Sequence, residues 1–328
     1  LSLPACDSEE DLSVIGGFLD STANIVRYWE PVARPFNRQI YDVAITGSGT
    51  LYIAVQARTV HRSDDFGRTW VPDSTGTPAD FAAQNVTTFG NHVAAYSDTA
   101  IFIKFDGSGS WVDAHSGIPA GAKIQFIERD ETASLFAATD SGLYSFNQSA
   151  SIWTKIENGL PRNTGIRDIA FHSSGYAVAL TDDNDVYISE SGRQNWLEEP
   201  ISWQGDSVQQ MNINDRRELL IVLFSGRLLI HTPNGLQEPV QRISGEDVYM
   251  SPSGLAFIVR ATVSSSDEFS NDERDLGVAR SIDGGLNWLS YSGGINDPIR
   301  DIAFDAAGNG FAVSTLGTVF RTLVPVSR

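Results

Sequence analysis

The sequence predicts an all-β chain folded as a seven-bladed β-propeller of four-stranded antiparallel blades, with the last blade closed by a strand from the N-terminus. Three observations predict it. Trp29, Trp70, Trp111, Trp153 and Trp196 lie 41, 41, 42 and 43 residues apart, and Trp288 follows 92 residues after Trp196, two periods plus a small excess. The hexapeptide Ile166-Arg167-Asp168-Ile169-Ala170-Phe171 recurs as Ile299-Arg300-Asp301-Ile302-Ala303-Phe304, with Ile40-Tyr41-Asp42-Val43-Ala44-Ile45 as an earlier relative. Within each period, short β-prone runs alternate with small polar turns. Four short strands in a period of about 42 residues are the signature of a propeller blade.

The blades can be followed along the chain. First strands begin near Ile40, Val86, Ile124, Ile166, Val208, Asp247 and Ile299. The fourth repeat is the clearest, with strands at Ile166–Phe171, Tyr176–Leu180 and Asp185–Ser189 and a fourth beginning at Trp196. The turns between them, His172-Ser173-Ser174-Gly175 and Asp182-Asp183-Asn184, are of hairpin type. Only the acidic N-terminal stretch offers any helical periodicity. The last repeat supplies three strands, Ile299–Phe304, Gly310–Ser314 and Thr318–Leu323, and lacks the tryptophan-bearing fourth. Val26–Val32, with Trp29 in the expected place, is the missing strand, so residues 26–328 form one ring and residues 1–25 a tether. A ring closed in this way joins both termini by a ladder of hydrogen bonds.

Composition bounds the function. Of 328 residues, 41 are acidic and 23 basic, a net charge of −18, which excludes binding of nucleic acid through bulk electrostatics. Hydrophobic residues make up 41%, enough for a packed core. The longest aliphatic or aromatic run, Leu219 to Phe224, is too short to cross a bilayer, which takes about 20 residues. Phosphate-loop, nucleophile-elbow and zinc-ligand patterns are missing, and His61, His92, His115, His172 and His231 show no metal-ligand spacing.

Two segments share the pattern Ser-x-Asp-x-Gly-x-x-Trp. One is Ser63, Asp65, Gly67 and Trp70, and the other is Ser281, Asp283, Gly285 and Trp288. Ser189 to Trp196 is a copy without the aspartate, and Asp106 precedes Trp111 at the right distance but with Lys104 at the serine position. On these residues the chain resembles the Asp-box (BNR-repeat) superfamily of propellers. The resemblance covers nearly the whole chain as a repeat. It implies that the boxes sit in turns between third and fourth strands and serve structure: Asp and Ser cap backbone N–H groups, Gly supplies a strained turn, and Trp packs between blades.

The opposite face, where first strands begin, is the expected binding face. It carries Arg38, Arg167 and Arg300, with Asp42, Asp168 and Asp301 as candidate catalytic acids. Sialidase-like relatives use three arginines, a Tyr–Glu pair and an Asp, but in six blades, and their Phe/Tyr-Arg-Ile-Pro motif is missing here. Xyloglucanase-type relatives place their acids between two rings. A two-carboxylate mechanism needs acids about 5–9 Å apart, which spacing alone does not establish. A bland reading of the Arg-Asp pairs is an ion pair or turn cap at the start of a strand. The resemblance extends to the photosystem II assembly factor-like propellers, single seven-bladed rings that bind a polypeptide.

The sixth repeat carries an insertion, Ser264–Asp275, with Asp267, Glu268, Asp272, Glu273 and Asp275. These carboxylates are candidate calcium ligands, although the spacing is not that of a calcium loop and a solvated acidic loop is the simpler reading. Leu3-Pro4-Ala5-Cys6 is similar to a bacterial lipobox, which makes Cys6 the candidate lipidation site. The expectation is a monomeric, secreted or lipid-anchored bacterial propeller that needs no cofactor. It binds a protein or glycan partner at the channel mouth and meets a membrane only through the lipid. The alternative is a glycoside hydrolase or lyase acting on an extracellular glycan.

Overall fold

A computed structural model describes residues 18–20, 25–57, 60–107, 109–190, 195–203, 205–240, 242–264 and 277–326. Cys6 and the acidic residues Asp267, Glu268, Asp272, Glu273 and Asp275 lie outside the described residues.

Seven four-stranded antiparallel blades follow one another around a ring. Their inner strands are Ile40–Ile45, Asn85–Phe89, Ile124–Arg129, Ile166–Phe171, Val208–Ile213, Asp247–Met250 and Ile299–Phe304. Blades 1 to 7 are named in that order. Blade 6 carries an extra short strand, Arg242–Ser244, on its long second strand Ala256–Ser264. Blade 7 pairs Val319–Thr322 with Trp29–Ala33, so the N-terminal strand completes the last blade. The run expected as Val26–Val32 is divided at Tyr28. Ile25–Arg27 forms a separate hairpin with Phe18–Asp20, and only Trp29 onward joins the blade.

The core lies between blades. Second strands are buried along their whole length, as at Leu51–Val55, Ala177–Thr181 and Leu219–Leu223, because both faces of each sheet pack on a neighbour. That is why they read as continuous apolar runs rather than alternating ones.

Tryptophans lock the seams, in two ways. Trp111, Trp153 and Trp29 donate their indole N–H to carbonyls of the preceding blade, at Asp73, Ala114 and Tyr291, over 2.7–2.9 Å. Beside each sits a left-handed glycine of the preceding blade. A Cβ on Gly76, Gly117, Gly159 or Gly294 would lie 1.9–2.2 Å from the carbonyl oxygen of Trp111, Trp153, Trp196 or Trp29, so only glycine fits.

Trp70 and Trp288 instead close on their own turns, donating to Gly67 and Gly285 carbonyls at 2.9 and 2.6 Å. In both turns the serine hydroxyl donates to the aspartate and accepts the glycine N–H. The aspartate accepts the N–H of Thr69 or Asn287. In blade 2, Lys104 at the serine position reaches back to Asp73 of blade 1 as a buried ion pair at 2.7 Å.

Candidate functional site

Five inner strands, in blades 1, 3, 4, 5 and 7, carry a β-bulge at their second residue: Tyr41, Gln125, Arg167, Gln209 and Arg300. A bulge re-aims the side chain that follows it. In three of these blades that residue is an aspartate, and each one clasps two blades together.

Asp301 accepts the N–H of Ile302 on one oxygen and of Val43, in blade 1, on the other, both at 2.8 Å. Asp42 accepts from Val43 and from Val86 in blade 2, again at 2.8 Å. Asp168 accepts from Ile169 at 2.8 Å and from Met211 in blade 5 at 2.9 Å. Gln210 and the Tyr96 hydroxyl extend the scheme by accepting the N–H groups of Val248 and Ile127. The recurring Arg-Asp hexapeptide is thereby explained as an interblade clasp.

The structure brings Asp42 and Asp301 together in the central channel, a cavity of about 320 Å³. Asp168 does not line it. Asp247, Tyr249, Glu128 and Tyr96 do, and the sequence reading missed all four. Asp247 had a weak signal, since it opens the inner strand of blade 6, but that strand lacks the Arg-Asp pattern. Tyr249 donates its hydroxyl to Asp247 at 3.0 Å, while the other Asp247 oxygen is buried without a hydrogen-bond partner.

Among the described residues that line the channel, the basic side chains are Arg129 and Arg300. Burial pushes the Asp168 carboxyl up to about 7. Burial, reinforced by Asp301, pushes Asp247 up to about 8. Burial and the neighbouring Asp301 hold Asp42 well above the usual carboxylate range. Burial also raises Glu128, and it raises the Tyr249 hydroxyl well above its ordinary value.

The three arginines do not converge. Arg300 lines the channel and lies 4.0 Å from Glu246. Arg167 turns toward blade 5, donating to the Asn184 side chain at 2.9 Å and the Val208 carbonyl at 2.7 Å. Its guanidinium lies 5.9 Å from the ring of Phe224, which is 63% exposed. Arg38 is exposed.

No protein-family model matches the chain, and no curated protein does. Solved structures do. The chain is similar to YCF48 bound to D1 peptide, at 17% identity and TM-score 0.68, over 91% of this chain and 97% of that one. It is similar to YCF48 from Cyanidioschyzon merolae, at 14% identity and TM-score 0.65, over 90% and 98%. It is also similar to a catalytically inactive virginiamycin B lyase from Staphylococcus aureus with quinupristin, at 11% identity and TM-score 0.65, over 90% and 98%. At these identities the likeness is one of fold, the seven-bladed propeller.

Proposed function

We propose that this is a non-catalytic propeller of the Asp-box kind that binds a polypeptide on the face where its inner strands begin. It works as a monomer outside the cytoplasm, without a required cofactor, and Cys6 is its lipid-attachment site. The observation that carries the non-catalytic part is the occupation of the acids. Asp42, Asp168 and Asp301 each spend both oxygens on backbone N–H groups of two blades. A general acid or base needs an oxygen directed at a substrate. Support for a polypeptide comes from the similar YCF48 structure, which holds a D1 peptide. The exposed Phe224 ring beside Arg167 offers that face an aromatic contact of the kind that anchors interfaces.

One observation favours the hydrolase or lyase reading: the hydrogen-bonded Tyr249 and Asp247 in the channel, a tyrosine–carboxylate pair. It is the weaker reading. Burial and the surrounding acids raise the Tyr249 hydroxyl, the reverse of what activates a nucleophile. Among the described residues no arginine trio meets the pair. Calcium at Asp267, Glu268, Asp272, Glu273 and Asp275 remains a secondary proposal.

Peptide and glycan arrays, with a glycosidase and lyase panel, test the reading. Peptide binding weakened by Arg300→Glu and Phe224→Ala, but not by Phe66→Ala on the opposite face, supports it. Turnover of any glycan that is abolished in Asp247→Asn or Tyr249→Phe overturns it.

A further inference from the structure

Six blades place a tryptophan at one register position of the outer strand. In blade 7, Trp29 pairs with Thr322, and in blade 3, Trp153 pairs with Phe146. Blade 5 has Leu236 there, paired with His231. His231 in turn faces Leu219, as Ser63 faces Leu51 and Ser281 faces Ala256, which fixes the equivalence.

The other half of the lock is missing at the same seam. Gly76, Gly117, Gly159 and Gly294 each stand six residues after the tryptophan of their own blade. Six residues after Trp196 stands Ser202. The seam between blades 4 and 5 has therefore lost both the indole and the glycine that packs on the tryptophan's backbone. The surrounding polar contact survives: His231 lies 3.6 Å from Glu199, in the places that Lys104 and Asp73 hold between blades 1 and 2.

The space is open. A cavity of about 120 Å³ lies between Ser202, Trp203, Arg227, Leu229, Leu236 and Glu238. That is less than the roughly 150 Å³ of an engineered cavity that takes benzene, so a bicyclic ring enters by one edge and keeps the other in the open mouth of the slot. Trp203, the tryptophan outside the 42-residue spacing, walls the slot and does not fill it. Its indole N–H is held at 2.8 Å by the Asn184 carbonyl. Asn184 also accepts from Arg167, so the slot adjoins the proposed binding face.

We infer that this slot is a binding site for one aromatic ring of indole size, supplied by a tryptophan side chain of a partner polypeptide. One edge of the ring enters where the other blades hold their own indole. Leu229 and Leu236 form its apolar walls and Trp203 stacks against it. The carbonyl of Glu199, equivalent to the Asp73 and Ala114 carbonyls that accept indole N–H groups elsewhere, receives its N–H. That a polypeptide supplies the ring rests on the proposed function; the slot itself does not.

The test uses the full chain, with free indole and N-acetyl-tryptophanamide as probes, followed by methyl NMR. Both should bind and shift the methyl signals of Leu229 and Leu236. Leu236→Trp should fill the slot from within, weaken binding at least about tenfold and raise the melting temperature by about 2 °C or more. If the backbone at position 236 needs the facing glycine to seat the larger residue, Ser202→Gly with Leu236→Trp restores the whole lock and gives the same result. No shift at Leu229 and Leu236 with either probe, or equal binding in the filled variants, overturns the site. Binding of indole but not of the amide overturns the polypeptide source alone and leaves channel-mouth binding to its own test.

Discussion

The carboxylates of Asp301 and Asp42 converge on one backbone N–H, that of Val43, each at 2.8 Å. Asp301 belongs to the last blade and Val43 to the first, so two acids meet at the seam where the ring closes. One N–H does not neutralise two recessed carboxylates, and Asp42 holds a proton that a free carboxyl would release.

Stability should therefore fall as pH rises through neutrality. A carboxyl raised in the folded state binds more protons folded than unfolded, between its unfolded value of about 3.9 and its folded value. The folded values are about 7 for Asp168 and about 8 for Asp247, with Asp42 raised in the same direction. Across that window each group lowers unfolding free energy by up to about 1.4 kcal/mol per pH unit, and the loss levels off above its folded value. Denaturant melts at pH 5, 7 and 9 should show a decline that is steeper from 5 to 7 than from 7 to 9. Asp301→Asn, which removes the charge beside Asp42, should flatten part of it. An equally steep decline in the variant would remove the closing pair as a cause. Asp65 acts in the opposite window: held to about 2 by its bonds to Thr69, its contribution is present above about 3.9 and is lost as pH falls through 2.

The glycine locks give a matched comparison. Gly117 and Gly121 both have left-handed backbone, with φ of 99° and 86°. A Cβ at Gly121 meets nothing within 4 Å, while one at Gly117 lies 2.1 Å from the Trp153 carbonyl oxygen. Gly121→Ala should cost the conformational penalty alone, about 1–2 kcal/mol. Gly117→Ala must also push two blades apart and should cost about 3 kcal/mol or more. Equal losses in urea unfolding would mean that the seam yields freely.

Much of this was legible in the sequence, and the exceptions have physical causes. Tryptophan spacing exposes the blade count because one large side chain must recur wherever two sheets pack. The Ser-x-Asp-x-Gly-x-x-Trp turns are legible because all their hydrogen bonds are local. The glycines at 76, 117, 159 and 294 recur at the same period but are hidden among the other glycines, since their reason lies in the next blade. The Asp42, Asp168 and Asp301 pattern is visible as a repeat. Its partners Val86, Met211 and Val43 are backbone groups, and backbone leaves no mark in a sequence. Asp247 and Tyr249 join the channel only through the ring geometry.

The Lys104 and Asp73 ion pair should behave as a buried pair that is costly to break. Lys104 is 4% and Asp73 9% exposed, and the ammonium also lies 5.8 Å from the Trp111 ring. Lys104→Ala strands a carboxylate in the seam and should cost about 3–5 kcal/mol. Lys104→Met with Asp73→Asn removes both charges and keeps the volume, so it should recover most of that loss. A double variant as unstable as the single one would show that packing around the lysine stem, and not charge, holds the seam.

Closure by the N-terminal strand is the largest single commitment of the fold. Trp29 is fully buried, donates to Tyr291, and heads a strand whose Glu30 pairs with Arg321 of the same blade at 2.5 Å. Tyr28 stacks on Tyr291 at 4.2 Å, tying the strand to blade 6 as well. Trp29→Ala should cost about 3–5 kcal/mol, the usual loss for a large buried aromatic. Removing residues 1–35 takes away the whole outer strand of blade 7 and leaves Val319–Thr322 as a bare edge, a template for pairing with another chain. The truncated chain should melt well below the full one and associate on size-exclusion chromatography. An unchanged melt and a monomeric profile would mean that the ring holds through blades 1 and 7 alone, at the Asp301 and Val43 clasp.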